Sequence, residues 1–159
     1  MMKSSANLET VDGFFQSYRS AFEAFDAPAI ADHFAYPAHI TSDNDEIVLM
    51  VASSREQWAQ QIQRLLDVYT GIGVKSAHVL EQAVADLSPR LHQVKLRWAL
   101  HDAADDMLYD FEAMYMLANL EGVLQITALA HNEQPRLRDC LARLGLHRPG
   151  REGPRSSGP

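Results

Sequence analysis

The chain has 159 residues, of which 47% are hydrophobic, and a formal charge of -7. That suffices for one domain with a sizeable core, and it argues against nucleic acid as a partner, since phosphate binding needs a clustered positive face. No stretch approaches the ~20 apolar residues of a membrane span, Met1–Asn7 lacks the apolar run of a signal peptide, and the single Cys140 excludes an internal disulfide. A cytoplasmic protein with no membrane partner is expected.

The apolar residues Leu8, Val11, Phe14, Phe15, Tyr18, Ala21, Phe22 and Phe25 recur at three- and four-residue spacing, which predicts a helix over 5–25. Asp26 reads as the N-cap of a short helix over 27–34, with Pro28 in its first turn, where a missing N–H does no harm. Tyr36-Pro37 must be extended, because a proline ring disfavours helix at the preceding residue. A short strand over 38–41, a turn at Ser42-Asp43-Asn44-Asp45 and a returning strand over 46–51 complete a hairpin. Ser53-Ser54-Arg55-Glu56 is a capping box for a third helix, whose stripe is Trp58, Ile62, Leu65, Leu66 and Tyr69 and whose end is marked by Gly71 and Gly73.

Four strands follow, over 74–86, 91–101, 107–118 and 123–131. Val94, Leu96, Trp98 and Leu100 alternate with polar neighbours in the second. Phe111, Ala113, Tyr115 and Leu117 do so in the third, and Leu124, Ile126, Ala128 and Ala130 in the last. Their connections are too short for crossover helices, so these strands pair antiparallel and the earlier helices cover one face. The fold class is therefore α+β, an antiparallel sheet covered on one face by three N-terminal helices. Residues 1–133 form the domain. Residues 134–159 hold six arginines against Asp139 and Glu152, a charge of +4 that leaves -11 on the domain. They read as a basic tail with a short helix over 135–144 and a disordered end.

Motifs for chemistry are sparse. The seven histidines show no H-x-H or H-E-x-x-H spacing, so no metal site is predicted. His39, beside the first strand, and His131, at the end of the last, are the histidines placed to reach a pocket near neutral pH. The acidic turn 102–106 lacks the glycine and distal glutamate of a calcium loop and reads as a solvated hairpin. Cys140 has no histidine near it in sequence, and Gly71-Ile72-Gly73 is a helix stop rather than a dinucleotide fingerprint. No cofactor is expected.

With this element order, and with Tyr36-Pro37-Ala38-His39-Ile40, Phe111-x-x-x-Tyr115-x-Leu117 and Leu124-x-Ile126, the chain resembles the nuclear transport factor 2-like superfamily over about residues 7–133. Within it, the SnoaL-like bacterial proteins look nearest. The resemblance implies that the antiparallel sheet is curved, forming a cone around an apolar pocket, roofed by helices and paired as a homodimer through the outer sheet face. In ketosteroid isomerase-like members the general base is an aspartate near the end of the first strand; here Ser42 stands at the matching place, with Asp43 next to it. Tyr18 matches their oxyanion-donor tyrosine, whereas Trp98 and Tyr115 occupy the positions where a buried aspartate would be sought. Epoxide hydrolase-like members need an Asp–Arg–Asp set, for which Arg97, Asp110 and Glu112 are the raw material. These lie on the polar face and read as a cross-strand surface pair.

The expected ligand-binding residues are Tyr18, His39, Trp58, Trp98 and Tyr115, the aromatics because each lies on a core-directed stripe and carries a polar atom on an apolar body. The expected partner is a small hydrophobic or aromatic molecule. The alternative is a cofactor-independent lyase, isomerase or cyclase using Tyr18 and His39 for proton transfer.

Overall fold

A computed structural model describes residues 2–145, with side chains from residue 11 onward. Helix α1 (Met2–Glu23) buries Val11, Phe14, Phe15, Tyr18 and Ala21, the stripe its periodicity predicts. Asp26 caps α2 (Ala27–Ala31), its Oδ1 accepting from the Ala29 N–H at 3.1 Å. This helix is shorter than predicted, because β1 (Phe34–Asp43) starts before Pro37 and Tyr36 folds back to donate its hydroxyl to the Ala31 carbonyl at 2.6 Å. Strand β2 (Ile47–Ala52) returns antiparallel beside it.

Helix α3 (Arg55–Ile72) is capped one residue later than the 53–56 reading. Ser54 Oγ accepts from the Gln57 N–H, while Gln57 Oε1 accepts from the N–H of Ser53, so Gln57 takes the place read for Glu56 and its side chain reaches the residue before the cap. Gly73 closes the helix at φ 89°, a left-handed conformation that favours a residue without Cβ. The chain then forms β3 (Ser76–Ser88), β4 (Leu91–His101), β5 (Met107–Leu120), β6 (Val123–His131) and α4 (Glu133–Arg143).

The six strands lie in the order β2-β1-β6-β5-β4-β3. The last four form an antiparallel meander, as their short turns require. One pairing is parallel: β1 runs alongside β6, with Ile40 opposite Leu129. The cause is topological. Helix α3 carries the chain to the far edge, and the meander returns strand by strand until β6 meets β1 in the same direction.

A second departure lies in β6. Leu117 pairs with Ile126 but Met116 pairs with Ala128, so Thr127 is an extra residue, a bulge whose hydroxyl donates to the Met116 carbonyl at 3.3 Å. Beyond it the alternation reverses. Leu129 and His131 turn inward opposite Tyr115 and Ala113, and Ala128 and Ala130 face outward, which corrects the predicted alternation.

The core under the helices is anchored by the fully buried Ile30, Phe34, Leu66, Leu96, Leu117 and Ile126. The helix predicted in the basic segment is α4, and it is docked: Leu137 and Cys140 are buried, and Arg143 donates to the Leu108 carbonyl at 2.6 Å. The expected division at residue 133 thus falls at the first residue of a helix packed on the sheet. The end read as disordered, residues 146–159, lies outside the described residues.

Candidate functional site

Between the helices and the inner face of the twisted sheet lies a cavity of about 250 Å³. Its walls come from α1 (Tyr18, Phe22), α3 (Trp58, Ile62, Tyr69), β4 (Trp98, Leu100) and β5 (Phe111, Ala113, Tyr115). The alternation read from β4 and β5 puts these residues inside, and it does so correctly.

Four of the five residues expected to bind ligand meet here: Tyr18, Trp58, Trp98 and Tyr115. Trp98 donates its indole N–H to the Tyr115 hydroxyl at 2.9 Å, and the Tyr18 and Tyr115 rings meet edge to face at 5.8 Å. Burial, reinforced by Tyr115, raises the Tyr18 phenol well above its ordinary value. Trp58 is half-buried over the cavity and packs edge-on against Phe34 at 5.4 Å. Its Nε1–H is the one fully buried side-chain polar atom among the described residues that has no protein acceptor. His39 does not join them. It is exposed on the opposite face, paired with Val51 and Ala128, because Ile40 is the β1 residue whose parity points inward.

The polar end of the cavity is made by residues the sequence reading did not choose. Glu133, first residue of α4, is only 5% exposed, and its Oε2 accepts hydrogen bonds from both the Tyr69 and the Tyr109 hydroxyls, the latter at 2.8 Å. Every hydrogen bond to this carboxyl from a described residue ends on Oε2, and Glu133 lines the cavity. Burial pushes its pKa up, and the two phenol donors only partly offset that. His131 lies beside it. Its Nδ1 accepts from the Glu133 backbone N–H at 3.2 Å, which leaves the ring proton on Nε2, and burial lowers its pKa so that the neutral form is favoured. A buried acid with one committed oxygen, next to a neutral imidazole, can donate to, accept from or exchange a proton with a bound molecule.

Other candidates fall elsewhere. Ser42 lines the cavity mouth while Asp43 is exposed, so no carboxylate enters from the end of β1. Arg97 and Asp110 do pair on the outer face, at 2.5 Å, but Asp110 is buried, because Arg136 of α4 adds a second clasp at 2.5 Å. Burial would raise Asp110, yet the hydrogen bonds from Arg97 and Arg136 prevail and hold it below the usual carboxylate range. The Cys140 thiol is buried and pushed up, the reverse of an activated nucleophile. At the outer end of β3 and β4, His78, His101 and Asp105 hold their donor atoms within 4.8 Å of one another.

This architecture, together with its sequence, has relatives. Residues 8–134 match the family described as NTF2-like protein (DUF6841). The chain belongs to that NTF2-like family. Among solved structures, it is similar to an NTF2-like protein with a cystatin-like fold from Novosphingobium aromaticivorans (TM-score 0.66, 7% identity, covering 82% of this chain and 84% of that one). It is also similar to a domain of unknown function with a cystatin-like fold from Nostoc punctiforme (TM-score 0.63, 14% identity, 95% and 93% covered). A third is Aln2 from a Streptomyces species (TM-score 0.64, 13% identity, 86% and 94% covered). At such identities the likeness establishes the fold alone. No curated protein matches the chain. Among the described residues no helix of this NTF2-like protein is long and apolar enough to cross a membrane.

Proposed function

We propose that this NTF2-like protein binds a small, largely apolar or aromatic molecule in its cavity, as a cytoplasmic protein without a cofactor. The observation that carries the reading is an aromatic-walled cavity of about 250 Å³ with uncommitted polar groups among its lining residues, the second oxygen of Glu133 and the Nε2–H of His131. Apolar walls supply affinity, and two or three polar atoms set orientation. Native mass spectrometry of the purified protein, repeated after denaturation, tests this. A discrete organic mass released on unfolding supports it. An unliganded protein with no thermal shift across a panel of small aromatic alcohols, phenols and ketones overturns it.

Glu133 favours a second reading of the same cavity, a cofactor-independent lyase, isomerase or cyclase. The proton-transfer group is then Glu133, with His131 Nε2–H as donor, in place of the exposed His39. Loss of turnover in Glu133→Gln with ligand affinity kept supports catalysis, and loss of affinity alone leaves a binding protein.

A homodimer through the outer sheet face accompanies this reading. Its support is the cross-strand row Leu49–Thr41–Ala130–Met114 on that face, in which Leu49 is 78% exposed. Sedimentation equilibrium of the wild type against Leu49→Lys tests it. A dimer that the substitution dissociates supports the interface, and a wild-type monomer removes it.

A further inference from the structure

We propose that His78, His101 and Asp105 form a binding site for a transition-metal dication of the zinc type, outside the cavity. The three come from separate places. His78 stands on β3 opposite Ala99, and His101 ends β4 opposite Ser76, which makes the two imidazoles diagonal neighbours with ring centroids 4.3 Å apart. Asp105 belongs to the turn between β4 and β5. It adopts φ 65°, a left-handed conformation that a residue with a Cβ seldom takes, and this carries its carboxylate back over both rings.

The two separations from the carboxylate suit a shared ion, and all three ligand atoms lie within 4.8 Å of one another. Asp105 Oδ1 lies 3.0 Å from His101 Nδ1 and 3.7 Å from His78 Nε2. Ligand atoms about 2.0–2.1 Å from a tetrahedral zinc stand about 3.3 Å apart, so both contacts are within a few tenths of an ångström of that edge. Two imidazoles with one carboxylate suit zinc, cobalt or nickel better than calcium or magnesium, which prefer an all-oxygen set. Three protein ligands leave a position open, which water can fill.

The turn is held before any ion arrives. Asp102 Oδ1 accepts from the Ala104 N–H at 2.9 Å and the Asp106 N–H at 3.0 Å, and the Asp105 N–H donates to the Asp102 carbonyl at 2.9 Å. Asp102 and Asp106 also add negative charge beside the cluster without competing for its centre. An ion there would fasten the β4–β5 turn to edge strand β3.

Tag-free full-length protein, stripped with a chelator and titrated calorimetrically with zinc chloride, tests the proposal. Cobalt chloride provides a spectroscopic readout of tetrahedral coordination. One zinc per chain is expected, with a raised thermal midpoint. His78→Ala and Asp105→Asn should each weaken binding at least about tenfold, a loss that removing even an outer partner of a ligand can produce. Both side chains are partly or largely exposed, at 38% and 78%, so the metal-free variants should melt with the wild type. Absence of saturable zinc binding overturns the proposal, and so does a stoichiometry unchanged in the doubly substituted protein.

Discussion

Substituting Tyr109→Phe tests whether Glu133 is a titrating acid inside this fold. Tyr109 is 3% exposed and donates to Glu133 Oε2 at 2.8 Å, and its ring, 6.2 Å from Phe111, keeps its place without the hydroxyl. The substitution therefore removes one donor and little packing. A hydrogen bond to a neutral carboxyl contributes about 0.5–1.5 kcal/mol, and one to a carboxylate about 1.5–3 kcal/mol. The cost of the change should therefore be about 1 kcal/mol while Glu133 is protonated and about 2 kcal/mol once it is ionised. The difference of about 1 kcal/mol should also raise the Glu133 pKa by somewhat under one further unit, at about 1.36 kcal/mol per unit. Urea unfolding at one pH near the ordinary carboxylate range and at another well above it, the two directions in which a raised carboxyl is protonated and ionised, measures both costs. In a Glu133→Gln background the cost should be the same at the two pH values. A pH-independent cost in the wild type, or an equal rise in the Gln background, would refute the reasoning.

The same contacts set four other expectations. Because burial raises the Glu133 pKa, the folded chain holds that proton more tightly than the unfolded one, and stability falls as pH rises from the ordinary carboxylate range through the folded value. Glu133→Gln should remove that fall in a plot of melting temperature against pH. His131 acts in the opposite sense, its lowered pKa withdrawing stability as pH drops below the ordinary imidazole range, and this limb should survive in Glu133→Gln. Asp110→Asn should cost about 1–3 kcal/mol at neutral pH, through weakened bonds from Arg97 and Arg136, and should speed hydrogen exchange in α4. Leu66→Ala, at a fully buried site of α3, should cost about 2–5 kcal/mol by urea unfolding.

Much of this architecture is legible in the amino-acid order. The limits read for β4 and β6 coincide with Leu91–His101 and Val123–His131, because long period-2 runs between turn residues leave little choice. The aromatic wall is legible for the same reason: Tyr18, Trp98 and Tyr115 sit on stripes whose parity is set by many neighbours. Parity fails where one residue decides it. His39 reads as inward on a short strand with few alternating neighbours, and the Thr127 bulge reverses Leu129 and His131 without any glycine to mark it. Glu133 is hidden because its partners arrive from α3 and β5, Tyr69 being 64 residues earlier in the chain. The only local sign is a glutamate two residues beyond a strand-ending histidine, a pattern that many solvated helix starts share. The His78, His101 and Asp105 cluster is invisible to spacing rules because the β3–β4 register, not a contiguous motif, brings it together.

Whether the cavity holds a molecule can be read from the chain's two tryptophans, Trp58 and Trp98, which both line it. The most direct measurement is a fluorescence titration of the wild type and Ala113→Phe with 2-naphthol, excited where the tryptophans absorb. Ala113 is 2% exposed and faces the cavity, so the added ring fills space that a ligand would take. Ligand binding in the cavity predicts a saturable change in tryptophan emission that the filled variant loses while its circular dichroism stays native. The same response from both proteins, or none from the wild type, would contradict it.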